Sequence, residues 1–573
     1  MSRILLPFLL LLGVVYAQAS GTSPAPAPET AEASDAQPPA RLPAPTTQQQ
    51  WALAPVPDWV EPKTANHEGE PPFGDVSAGT YYRLVDLQVD VESHTTFAQY
   101  SREILSNAGL HGMSELEFDY DPTFQEIRLH KIEIVRDGKT TSLFDPSRIR
   151  LLQKENETHN GIWNGEKTLV HFLPGLRVGD ILEYSYSIVG SHPAMGGKFT
   201  DSFLLEWEEE VLEASYRLRK PNDRRITYRS FGSDIEPREV EGETHTNLYW
   251  ERENVAAVLM DENVPAWYHS LAWVQLSEFG SWAEVARWGA KLFAEADGEL
   301  SKEALAVVKE TEQRYPALTD QVMALKRWVS DEIRYVGIEG GAASYCPRTP
   351  ALTLKNRFGD CKDKTLLLSR MLRELGVESA PLYVDSQEGR ALPDLLPSPT
   401  AFDHVILRVR MPDGREFDCD PTMSGQGGSF DQFHLPNYHW GLVLEPGSRS
   451  LTELKRSTSF EDSCVTIIED YILGDPGGKI DLVVETDFVG SMADTVRREM
   501  ASTTPAHLNR SYLNYYLDNY PYTTAANPLS YRDNRGENTL RVKEHYHIDE
   551  LWEADASDPN YLSLRLYFAA IRN

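Results

Sequence analysis

The chain has 573 residues and carries 55 Lys and Arg against 87 Asp and Glu, a formal net charge of −32 at pH 7. That acidity argues against nucleic acid or an anionic membrane surface as a partner, because both demand a basic footprint. The length leaves room for about three or four domains. No dinucleotide fingerprint, no G-x-x-x-x-G-K phosphate loop, no His/Cys spacing of a zinc site and no solenoid or propeller repeat occurs.

Met1–Ala19 holds one positive residue, Arg3, then the apolar run Ile4–Val15 and the small-x-small site Ala17-Gln18-Ala19. A run this short does not span a bilayer, so it reads as an export signal cleaved near Ala19, with an uncleaved anchor as the alternative. The mature protein is expected to be exported, periplasmic or secreted, with no integral membrane segment. From Ser20 to about Pro62 the composition is Ala, Pro, Thr and Gln, and residues 20–79 are predicted to be a disordered linker.

Residues 80–270 read as an antiparallel β-sandwich. Val85, Leu87, Val89 and Val91 alternate with Asp86, Gln88, Asp90 and Glu92, predicting a strand with one wet face. Leu116, Phe118 and Tyr120 repeat the pattern; Asp137-Gly138 marks a hairpin after Ile132 and Ile134; and Leu182, Tyr184, Tyr186 and Ile188 make a further strand.

Residues 275–455 mix helices and strands. Helices are predicted over 282–293 and 320–334, the second capped by Thr319 or Asp320, with Trp282, Trp288 and Trp328 as core aromatics. Arg357–Gly376 is the densest stretch. Asp360 can cap a helix whose stripe is Leu367, Leu368, Met371, Leu372 and Leu375, and Gly376 supplies its stop. Cys361 then sits in the first turn, where free N–H groups and the helix dipole favour a thiolate nucleophile. A small buried apolar cysteine is the alternative. His404 begins an alternating strand, Met411-Pro412-Asp413-Gly414 turns the chain, and Glu416–Asp420 returns. A three-residue loop over 412–414 pairs 406 with 420. His404 then lies diagonal to Asp420 on one face, as base and orienter, with Cys419 on the other.

Residues 460–573 read as β-rich, with Ile480, Leu482 and Val484 after a turn at 475–478, then Leu540 and Val542, Tyr546 and Ile548, and Leu562, Leu564, Leu566 and Phe568. Tyr512, Tyr515, Tyr516, Tyr520 and Tyr522 are read as packing residues before a ligand face. Cys346, Cys361, Cys419 and Cys464 allow three full disulfide pairings, but a nucleophile must stay free.

G-D-C-K-D-K with its leucine-rich helix, F-D-H-V-I, and D-C-D-P-T together resemble the transglutaminase-like superfamily in its bacterial form, a papain-like cysteine fold. The resemblance runs from about Trp282 to Pro446 and includes I-R-Y-V-G-I-E at Ile333–Glu339, and Tyr345 and Pro347. Leu173–Ser187, L-P-G-L-R-V-G-D-I-L-E-Y-S-Y-S, resembles the domain of unknown function that commonly precedes such domains. The resemblance implies an α+β multidomain protein with a papain-like central domain, Cys361 as nucleophile, His404 as base and Asp420 as orienter.

The chemistry expected of this set is attack of Cys361 on an amide carbonyl, with the Cys361 backbone N–H and the Tyr345 hydroxyl as oxyanion candidates. A peptide or protein is the expected substrate. The thioester resolves with water in a peptidase or amidase, the favoured reading, or with an amine in a transglutaminase. No metal or cofactor is required, and no calcium loop is recognisable. The alternative of another class is a non-catalytic periplasmic binding or assembly scaffold. Oligomeric state is left open.

Overall fold

Strands whose polar and apolar residues alternate dominate the first part of the chain, and helices gather around residues 282–374. The computed structural model describes residues 51–566 except 70–71, 74–75, 77, 156–157, 159–160, 261–262, 455–462, 555–557 and 559–560. The signal segment Met1–Ala19, the linker before 51 and Phe568 lie outside these residues. The protein is multidomain and β-rich, and its chain divides into two compact units. One comprises Met1–Val285, Gly337–Cys346 and Ala391–Asp403; the other Ala286–Val336, Pro347–Arg390 and His404–Asn573.

The first unit is built on a nine-stranded sheet. Its central strands are Ile181–Val189, Thr95–Ile104, Thr80–Asp90, Val211–Pro221 and His245–Val255. The sheet is mixed rather than antiparallel throughout: Thr80–Asp90 pairs in parallel with Val211–Pro221, and Trp51–Leu53 with Glu126–Arg136. One face is apolar. There Phe118, from a three-stranded sheet, meets Tyr186 at 4.7 Å, and Phe203, from another, stacks on Tyr216 at 3.6 Å, so the three sheets share one core. The hairpin at Asp137-Gly138 forms as expected, both residues having positive φ, 51° and 71°.

The opposite face is polar, yet it is not wet. Asp86, Gln88 and Asp90 are as buried as Val85 and Leu87. The predicted linker is the reason, because from Trp51 onward it packs. Glu61 and Gln88 exchange two hydrogen bonds, from Glu61 N–H to Gln88 Oε1 (2.9 Å) and from Gln88 Nε2 to Glu61 O (2.7 Å). Arg83 donates to Asn66 O at 2.8 Å, Gln99 to Lys63 O at 3.0 Å and Arg217 to Trp59 O at 2.8 Å. Val60 and Ala65 are buried. A Pro-rich, apolar-poor strap therefore holds by side-chain to backbone bonds, which composition does not register.

The second unit contains a five-stranded antiparallel sheet, in the order Glu416–Cys419, His404–Arg410, Glu378–Val384, Trp440–Val443 and Thr452–Glu453. Helices Lys302–Arg314, Leu318–Glu332 and Cys361–Glu374 share its core, with Leu367, Leu368, Met371 and Leu372 fully buried. Trp328 packs against that core, and Trp288 lies 6.3 Å from Tyr383. The helix expected at 320 starts at Leu318 after Ala317, without a side-chain cap.

Residues beyond 463 form a further sheet through Val465–Leu473, Ile480–Val489 and Thr539–Ile548. Two helices, Ser491–Ser502 and Pro505–Leu517, were not expected there. Tyr512 and Tyr516 face inward four residues apart on the second, whose start carries a readable signal: Thr504 caps it and Pro505 is its first residue.

A chain beginning at Thr80 should be less stable than one beginning at Trp51. Removing the strap unpairs the buried faces of Gln88, Gln99 and Arg83, each lost bond costing about 1–3 kcal/mol. Thermal unfolding of the two chains should show a melting temperature lower by about 5 °C or more in the shorter; equal melting would mean that the strap contributes nothing.

Candidate active site

Each polar residue of the D-C-K-D-K run fixes the start of helix Cys361–Glu374. Asp360 Oδ1 accepts from the N–H groups of Lys362 (2.9 Å) and Asp363 (3.1 Å), while Asp363 Oδ2 accepts from Asp360 N–H at 3.2 Å. This reciprocal capping box satisfies donors that a helix end leaves open. Arg348 anchors it, its N–H and its guanidinium each donating to Asp363 at 2.6 Å. Lys362 Nζ lies 2.8 Å from Asp360 Oδ2. Gly359 is required because a Cβ there would stand 2.6 Å from Asp363 Cβ. Cys361 is thereby the first residue of a capped helix, and it is 1% exposed.

Lys364 ties this helix to its neighbour. Its ammonium donates to the carbonyls of Ser330 (3.1 Å) and Ile333 (2.6 Å), the open carbonyls at the end of helix Leu318–Glu332. Burial pushes its pKa down to about 8, against the pull of Asp420. Thr365 Oγ1 donates to Val405 O at 3.3 Å, joining the helix to the strand that begins at His404.

The hairpin has the expected register. Arg408 pairs with Asp418 and Leu407 with Cys419, and Met411 N–H donates to Arg415 O across the three-residue loop. His404 and Asp420 share a face, while Cys419 is fully buried on the other, where burial pushes its thiol up to about 12.

His404 Nε2 lies 3.0 Å from Asp420 Oδ2. Tyr438 donates to the same oxygen at 2.8 Å, and Thr422 donates to Oδ1 through its N–H (2.8 Å) and its hydroxyl (2.6 Å). Burial works against the Asp420 charge, but the charge and hydrogen bond of His404 and the two Thr422 bonds hold its carboxyl well below the usual range. An ionised carboxylate only accepts, so Nε2 carries the proton and Nδ1 is the ring nitrogen left for Cys361. For His404 burial opposes protonation; the charge and hydrogen bond of Asp420, followed by those of Cys361, outweigh it and raise the imidazole well above 6.5.

His404 and Asp420 are hydrogen-bonded, and the Cys361 thiol stands close enough to help raise the His404 imidazole. Tyr345 belongs to the first unit, where its ring lies 4.9 Å from that of His192. Tyr438, Thr422, Arg348, Lys362 and Lys364 were not singled out from sequence. Thr422 had a local signal in D-P-T, an Asx-type turn, and the lysines had theirs in charge set on an apolar helix. Tyr438 had none. The four cysteines are free thiols, with Cys464 exposed.

Residues 91–259 match the family described as Domain of Unknown Function with solved-structure structure (DUF3857). No curated protein matches the chain. Among solved structures, a candidate protease from Parabacteroides distasonis is 13% identical, with a TM-score of 0.54 over 82% of this chain and 94% of that one. This is a likeness of fold. The M1 zinc metallopeptidase of Deinococcus radiodurans (13% identity, TM-score 0.20, 35% of this chain and 43% of that one) and aminopeptidase A of Legionella pneumophila (12%, 0.19, 36% and 22%) overlap too little to bear on it.

Replacing Asp420 by Asn removes the largest influence opposing burial at His404 and leaves only that of Cys361, so the imidazolium should be lost at lower pH. Histidine NMR titration should find His404 still charged above pH 6.5 in the parent and neutral there in Asp420→Asn. The raised His404 contributes stability that is present below 6.5 and is lost as pH rises through its folded value. The depressed Asp420 contributes stability that is present above 3.8 and is lost as pH falls through its folded value. The stability gap between parent and variant should thus be widest from about pH 4 to 6.5.

Proposed function

We propose that this protein is an exported, cysteine-dependent acyl-transfer enzyme of the transglutaminase-like, papain-like kind, hydrolysing a peptide or amide bond. The feature that carries this reading is Cys361 as the first residue of a capped helix, beside a hydrogen-bonded His404–Asp420 pair whose imidazole the thiol helps raise. The likeness of fold to a candidate protease accords with it. The central catalytic domain is taken as 275–455, between the domain of unknown function at 80–270 and the β-rich region at 460–573. Export rests on the signal-like segment Met1–Ala19. Among the described residues, no helix is long and apolar enough to cross a membrane.

His404 receives the thiol proton, and Cys361 sulfur attacks the carbonyl carbon. The tetrahedral oxyanion meets the N–H of Cys361, one of the N–H groups that have no partner within the helix. Collapse of the intermediate expels the amine, which His404 protonates through Nδ1, and leaves a thioester. His404 then deprotonates a water whose attack releases the acid and restores the thiol. Throughout, Asp420 holds the Nε2 proton and the ring plane. With Cys361 1% exposed, a peptide reaches the sulfur only once the groups over it move aside.

Iodoacetamide should alkylate Cys361 at pH 6 in the parent, and this acid-side reactivity should disappear in His404→Ala; indistinguishable profiles in the two proteins would favour the scaffold reading. On a peptide mixture followed by mass spectrometry, new termini should appear with the parent and not with Cys361→Ala. Asp420→Asn should slow their appearance by a factor on the order of 10⁴. Amine-linked products in place of new termini would instead identify a transglutaminase.

A further inference from the structure

The C-terminal sheet carries, on its solvent face, a ladder of ion pairs between strands Ile480–Val489 and Thr539–Ile548. Arg541 takes Asp487, with its closest contact at 2.5 Å, and Lys543 takes Glu485 at 2.7 Å, each from the residue directly opposite. The next two steps break the pattern. His547 lies opposite Asp481, but His545 lies opposite Val483 and leans one position along to the same carboxylate. Asp481 Oδ1 is 2.5 Å from His547 Nδ1 and 3.3 Å from His545 Nε2. One donor atom from each of the three residues lies within 4.8 Å of the other two.

We infer that Asp481, His545 and His547 form a binding site for a divalent transition metal, with Zn²⁺ the ion that best suits it. Two imidazoles converging on one carboxylate supply three ligands of the types zinc takes, and they leave a fourth position for water or an external ligand. Zinc bonds of about 2.0–2.1 Å place tetrahedral donors about 3.3 Å apart; Asp481 Oδ1 already stands 3.3 Å from His545 Nε2 and has to draw back from His547 Nδ1, at 2.5 Å. Closing on an ion needs side-chain rotation only, since all three sit on paired strands of one sheet. Alternation supplies the common face: His545 and His547 are two apart on one strand.

A further partner lies behind the set. Asn527 Nδ2 stands 3.2 Å from His545 Nδ1. When Nε2 takes a metal, Nδ1 carries the proton and needs an acceptor. Turning the Asn527 amide over presents Oδ1 at that place, the outer hydrogen bond that metal-bound imidazoles usually make. The sequence concealed the set because Asp481 and His547 are 66 residues apart.

The side chains of Asp481, His545 and His547 are 44%, 32% and 41% exposed, so an ion reaches them directly and their replacement is tolerable to the fold. This site is independent of Cys361 and of the proposed acyl-transfer activity. The test is calorimetric titration of the full chain with zinc chloride after chelation and dialysis, beside His545→Ala/His547→Ala and Asp481→Asn. One zinc per chain is expected, abolished in the double variant and weakened about tenfold or more in Asp481→Asn. Cys361→Ser should bind as the parent does. The visible spectrum of the cobalt-loaded parent, which needs no variant, should show a d–d band without thiolate charge transfer. Absence of binding in the parent, equal binding in the double variant, or a thiolate band would overturn the assignment.

Discussion

Parity of pairing in one hairpin governs the candidate site. Arg408 faces Asp418 and Leu407 faces Cys419, and from these two pairs everything at the strand ends follows. A slip of one residue would carry Asp420 to the buried face and bring Cys419 beside the imidazole. The three-residue loop sets the register, and the apolar side of the strand, with Val405, Leu407 and Val409 all fully buried, penalises any slip. The same burial that forms the core therefore aims the His404–Asp420 pair.

Charge is concentrated around that pair to a degree unusual for an interior. Lys326, Lys362 and Lys364 are all almost wholly buried within the unit that holds Asp420. Each has a specific partner: an aspartate for Lys362, helix-end carbonyls for Lys364, and Met423 O and the Gln426 amide oxygen for Lys326. Burial pushes Lys326 down to about 8, and nearby Asp420, Asp331 and Asp494 pull the other way. Buried charges left unpaired cost several kcal/mol, so the Lys326 bonds to Met423 and Gln426 hold the loop after Asp420 in place.

The C-terminal region takes part in the same restraint. Gly427 N–H donates to Asp494 Oδ1 at 2.8 Å, Gly428 N–H to Arg535 O at 2.9 Å, and Arg535 Nε to Gln426 O at 3.0 Å. Residues 425–428 are thus gripped by a sheet and helix that a reading of catalytic motifs leaves without a role. Support for the segment that follows Asp420 gives this region a structural reason to accompany the five-stranded sheet.

The sequence by itself determined the local signals of the site. The cap at Asp360, the apolar stripe to Met371, the loop at 412–414 and the alternation on both sides of it are short-range patterns, and they fix helix Cys361–Glu374 and the His404–Asp420 diagonal. Tertiary structure decided what depends on a distant surface. The strap 51–69 reads as linker because it binds largely through backbone carbonyls to Arg83, Gln99 and Arg217 and buries few apolar side chains of its own. The polar side of Thr80–Asp90 reads as wet because its cover comes from a separate segment. Tyr438 reaches Asp420, and Asp481 reaches His547, only after the sheets have formed. Periodicity records which face of an element is apolar; which segment comes to lie against its polar face is settled by packing between elements far apart in the chain.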